Sequence, residues 1–77
     1  MKHAKVIVPY QHRSDDLSLI EIGLSEGGTP DDWRPALRDI YQGERVVWAR
    51  FPGRDGRRVT VWLRDQHSAR RVDTITI

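Results

Sequence analysis

The sequence predicts an α+β fold: one small domain in which an antiparallel sheet of about five strands carries a single helix on one face, in the order ββαβββ. Three observations predict it. Residues 44–51 and 57–64 are rich in Val, Trp, Phe and Thr and alternate with period two, the pattern of half-buried strands. Between them Pro52-Gly53-Arg54-Asp55-Gly56 carries strong turn chemistry, with Gly56 suited to the left-handed position of a three-residue hairpin loop. Finally, Trp33, Ala36, Leu37, Ile40 and Tyr41 recur at i, i+3, i+4, i+7 and i+8, one apolar helical stripe.

The elements follow in chain order. Residues 5–10 form a first strand, with Val6, Val8 and Tyr10 on one face; Pro9 cannot donate to a ladder, so this strand lies at an edge or ends there. Residues 11–16 are a polar turn, and residues 17–24 a second strand in which Ile20, Ile22 and Leu24 share a face. The two strands are expected to pair. Gly27-Gly28 breaks the chain before the helix. Asp32 is the helix N-cap, which puts Pro35 at the third helical position, and Gly43 is the stop. A start at Pro30 would put Pro35 inside the helix at about 3 kcal/mol.

The hairpin register that suits the turn sets Phe51 against Val59, Ala49 against Val61 and Val47 against Leu63, all apolar or small. The helix is expected to cover this face. The other face then carries Trp48 opposite Trp62, with Arg50, Arg58 and Arg64 around them. An ordinary cross-strand aromatic pair contributes roughly 0.2–1 kcal/mol. Trp and Arg are also the residues that concentrate binding energy in interfaces. Residues 71–77 alternate again and make the last strand.

With 77 residues and 38% hydrophobic content, the domain is near the lower size at which packing alone suffices. It has no cysteine, which excludes disulfides and thiolate metal sites and favours a reducing compartment. No apolar run approaches the ~20 residues of a membrane-spanning helix, and no signal-peptide core is evident. A cytoplasmic protein without membrane contact is expected. The net charge of +2 is unevenly spread: residues 1–43 hold five basic and seven acidic side chains, residues 44–77 eight and four. One acidic and one basic surface are therefore expected. Asp15, Asp16, Glu21 and Glu26 belong to an acidic stretch without a single base.

Catalytic chemistry has little to stand on. His3, His12 and His67 are far apart and form no metal-ligand spacing. Ser25-Glu26-Gly27-Gly28 lacks the length and the Lys of a phosphate-binding loop. No cofactor, metal site or small-molecule substrate is expected, and the chain reads as non-enzymatic. A metal-independent nuclease using His12 and His67 as acid and base is the third reading. The second is a DNA- or RNA-binding module, its tryptophans stacking on bases and Arg58, Arg64, Arg70 and Arg71 meeting phosphates.

In its size, absence of Cys, compact α+β pattern and charge-segregated halves, the chain resembles the small inhibitor proteins of phages and mobile elements, of the anti-CRISPR kind. The resemblance implies a binding protein that docks on a protein or ribonucleoprotein and blocks a nucleic-acid-binding surface. The acidic residues Asp15, Asp16, Glu21 and Glu26 would then imitate phosphate, and Trp48, Arg50, Arg58, Trp62 and Arg64 would supply hot spots.

Overall fold

The computed structural model describes residues 2–13 and 18–77. Those residues contain seven strands and no helix: β1 (His3–Pro9), β2 (Glu21–Ser25), β3 (Asp32–Pro35), β4 (Leu37–Tyr41), β5 (Glu44–Pro52), β6 (Arg58–Arg64) and β7 (Ala69–Thr76). Antiparallel pairing sorts them into a three-stranded sheet, β1-β5-β4, and a four-stranded sheet, β3-β2-β6-β7. The fold is all-β, and the expected α+β architecture is overturned.

The helix is replaced by a bent strand that changes sheets. β3 pairs with β2, β4 pairs with β5, and only Ala36 separates them. Its amide donates to the Ile20 carbonyl at 2.8 Å, so the bend leaves no buried donor unpaired. Within the expected helical stripe of Trp33, Ala36, Leu37, Ile40 and Tyr41, the residues Trp33, Leu37 and Tyr41 lie four apart, and a spacing of four is also even. They therefore fit one face of an extended chain equally well. Pro35 breaks the tie, because it steers Arg34 before it away from helical dihedrals. Gly43 is not a helix stop. Gln42 and Gly43 have φ values of 51° and 81°, the two positive values of a type I′ turn joining β4 to β5.

The expected hairpin of residues 44–65 is also corrected. β5 is flanked by β1 and β4, and β6 by β2 and β7. A strand has two hydrogen-bonding edges, so neither has one left for the other. The Pro52–Arg57 connection instead crosses between sheets. Gly53 N–H donates to the Lys2 carbonyl at 2.8 Å, and Arg54 N–H to that of Ile77 at 3.1 Å. Asp55 and Gly56 are both left-handed, at φ 53° and 75°, which closes the turn through Arg57 N–H to the Arg54 carbonyl at 3.0 Å. Nor do the first two expected strands pair with each other: β1 joins β5, and β2 joins β3 and β6.

The alternation itself holds. Val47, Ala49, Phe51, Val59, Val61 and Leu63 are all buried, with Val6, Val8, Ile20, Ile22 and Leu24. They meet face to face across the two sheets rather than side by side in one. That core positions two outer faces, each carrying a tryptophan. No helix of the described residues is long and apolar enough to cross a membrane.

Candidate functional site

On the outer face of the three-stranded sheet, Trp48 of β5 stands in register between Ile7 of β1 and Leu37 of β4. Side chains directly opposite in adjacent strands share a face, so these three make an apolar row across the whole sheet. Leu37 is 56% exposed and Trp48 is half-buried. One register step along, Lys5 and Arg50 are paired positions. Both lean over the indole, Lys5 Nζ at 4.4 Å and the Arg50 guanidinium at 5.7 Å from its centre, within cation–π range. Neither has a carboxylate partner among the described residues. Tyr41 continues this face towards the Gln42-Gly43 turn and is half exposed.

The outer face of the four-stranded sheet has a different chemistry. Trp62 stands opposite Gly23, and Gly23 stands opposite Trp33. The indole of Trp33 lies in the space a side chain at Gly23 would need. Arg64 stacks on Trp33 at 3.9 Å and bonds Glu21 at 2.8 Å. The Trp62 indole N–H donates to Ser25 Oγ at 3.0 Å, which satisfies a hydroxyl that is almost fully buried. Beyond the bulge in the β6–β7 ladder, Arg71 comes opposite Trp62, its guanidinium 5.4 Å from the ring.

The expected cluster is therefore divided. Trp48 and Arg50 lie on one sheet, and Arg58, Trp62 and Arg64 on the other, so the tryptophans form no cross-strand pair. Alternation had put both outward, which holds, but on opposite sides of the domain.

The acidic residues are changed in meaning as well. Glu21 is paired with Arg64, and Glu26 binds Arg54 at 2.9 Å and Arg57 at 3.3 Å. Arg54 also reaches Asp31 at 3.0 Å. Partial burial works against its charge, but the hydrogen bonds and charges of Asp31 and Glu26 outweigh it and raise its pKa. This network ties the β2–β3 connection to the β5–β6 connection. Carboxylates already paired with the domain's own arginines are poor phosphate mimics. Asp15 and Asp16 lie outside the described residues.

The two catalytic candidates are occupied separately. His12 is buried, its Nε2 bonded to the Asp39 carbonyl at 3.1 Å. His67 is exposed in the β6–β7 turn beside Gln66. No hydrogen bond joins them. No group of three or more His or carboxylate side chains that could hold a metal occurs among the described residues.

Sequence reasoning missed Lys5, Ile7 and Leu37 as surface neighbours of Trp48, and the buried Gly23 with Trp33 as the neighbours of Trp62. The Gln42-Gly43 dipeptide between two apolar runs was the available signal for Leu37, because it places β4 beside β5; the pairing of β1 with β5 that brings in Lys5 and Ile7 had no local signal. No known protein family matches the chain, and no curated protein or solved structure gives a significant match.

Proposed function

We propose that the protein is a non-enzymatic binding protein that docks on a protein or ribonucleoprotein through the outer face of the three-stranded sheet, and inhibits or modulates it by occupying that surface. The observation that carries this is the row Ile7–Trp48–Leu37, flanked by Lys5 and Arg50. An exposed aliphatic side chain beside a tryptophan and two cations, neither ion-paired among the described residues, is the composition of an interface centre with a charged rim. It fits an apolar recess bordered by carboxylates. Aliphatic neighbours favour a protein surface over stacked bases, which take aromatic and cationic contacts. A standard interface takes about 800 Å² per partner, roughly one seventh of the 5393 Å² surface. The sheet face together with Tyr41 at the turn is the natural extent.

The test is affinity capture from bacterial lysate with cross-linking to the partner, wild type beside Trp48→Ala, Leu37→Asp and the opposite-face control Trp62→Ala. A single partner cross-linked to β1, β4 or β5 is expected. Removing a hot-spot tryptophan costs at least about 2 kcal/mol, so Trp48→Ala should weaken capture some thirtyfold. Trp62→Ala should leave it intact. Equal capture by Trp48→Ala and Leu37→Asp would refute the reading.

A further inference from the structure

The four-stranded sheet carries a cleft of about 320 Å³ between the β2–β3 connection and β6–β7. That volume falls at the lower end of small-molecule sites, ~300–1,000 Å³. Its walls are Gly27, Gly28 and Thr29 on one side and Thr60, Trp62 and Arg71 on the other. We propose that this cleft binds a nucleotide unit, the base stacked against Trp62 and the phosphate held by Arg71 and the amides of the glycine turn.

Four observations carry the assignment. The indole of Trp62 is fixed, because its N–H is used on Ser25 Oγ at 3.0 Å; what it offers a ligand is its ring, which stacks on any base. Arg71 is exposed, sits over the same ring, and has no carboxylate partner among the described residues. A base stacking on the indole displaces this exposed guanidinium from over the ring to its side, where its charge and planar fork match phosphate.

The turn supplies the second half of an anion site. Gly27 and Gly28 have φ values of 127° and 72°, and a side chain at either would meet nothing. Their amides take no backbone hydrogen bond among the described residues. Successive free N–H groups in a positive-φ turn form a concavity for an anion. Lastly, the acid nearest in sequence does not oppose one. Glu26 is paired with Arg54 and Arg57, so the turn presents amides rather than negative charge. The Thr29 and Thr60 hydroxyls remain to bond sugar or base edges.

The run at residues 25–28 has no lysine of its own, but the fold brings Arg71 to it from 43 residues away. The ligand is either a free mononucleotide or one nucleotide of a single strand; the recognising chemistry is the same. The site lies on the sheet opposite the proposed docking face and does not depend on it.

The experiment is titration of the isotope-labelled protein, followed residue by residue by NMR, with inorganic phosphate, uridine 5′-monophosphate and a short oligouridylate. The monophosphate is expected to move the Gly27 and Gly28 amides and the Trp62 indole N–H together, saturably. An oligouridylate that binds more tightly identifies a strand as the source, and equal affinity identifies the free nucleotide. Arg71→Ala should weaken binding about tenfold, while Lys2→Ala, at an exposed position outside both surfaces, should not. Phosphate alone binding as well as the monophosphate with Trp62 unmoved would overturn the nucleotide assignment. So would the absence of any shift at millimolar ligand, or an Arg71→Ala variant of unchanged affinity and native spectrum.

Discussion

Gly23→Ala is the substitution whose cost the structure fixes best. A Cβ there would lie 2.7 and 2.8 Å from Cε3 and Cδ2 of Trp33, and 2.9 Å from Cβ of Pro30. Carbon atoms rest ~3.5–4.0 Å apart, so the indole must retreat by about 1 Å. It is not free to do so, because Arg64 is stacked on it at 3.9 Å and is itself held by Glu21. Overpacking of this kind costs about 1–3 kcal/mol, and loss of the cation–π contact about 0.5–1 more. The smaller entropy of an unfolded chain with Ala offsets about 0.4–1 kcal/mol. The net expectation is a loss of about 1–3 kcal/mol, a fall of roughly 6–18 °C in Tm for a domain of this size. Circular dichroism melting and urea unfolding read it directly. In a Trp33→Ala background only the Pro30 contact is left, so the same change should cost less, by a coupling of at least about 0.5 kcal/mol. A Gly23→Ala protein that melts at or above the wild-type temperature would refute the packing argument.

Two further outcomes are expected. Val61 is 1% exposed between the sheets, so Val61→Asp buries an unpaired carboxylate. In a domain holding roughly 4–12 kcal/mol in total, that should abolish cooperative melting; a soluble variant with an unchanged spectrum would count against the core. Asp65 accepts backbone N–H bonds from His67 and Ser68 at 2.8 and 2.9 Å, and these, with the charges of His67 and Arg70, lower its pKa. A depressed folded pKa means that the carboxylate stabilises the β6–β7 turn above the unfolded pKa, and that this contribution is lost as pH falls through the folded value. An NMR titration should place the Asp65 midpoint below that of an ordinary aspartate, with the His67 and Ser68 amides moving in step. In Asp65→Asn those amides should lose that acid transition. A midpoint at or above the ordinary value would contradict the assignment.

The core was legible in the sequence because burial follows alternation. Val47, Ala49 and Phe51, like Val59, Val61 and Leu63, recur at every second position, and all six are buried, with Val46 on the other face of β5 the one buried neighbour among them. Ile20, Ile22 and Leu24 were assigned to one face by the same rule. Gly56 was assigned a left-handed conformation from its turn, and has it. The bent strand β3–β4 was not legible, since spacings of four satisfy a helix and a strand alike. What would have separated them was local: Pro35 acting on Arg34, and Gln42-Gly43 as a hairpin turn rather than a helix end.

The surfaces divide in the same way. The sequence determined by itself that Trp48 and Trp62 point outward and that the acidic and basic residues are segregated along the chain. Only the tertiary structure decided that the tryptophans sit on opposite sheets, that Glu21 and Glu26 meet Arg64, Arg54 and Arg57, and that Arg71 and the glycine turn line one cleft. The physical reason lies in the strand itself. Side chains write their in–out preference into the sequence, whereas the hydrogen-bonding edges are backbone, nearly the same for every residue. Which edge meets which is settled by the packing of the whole chain.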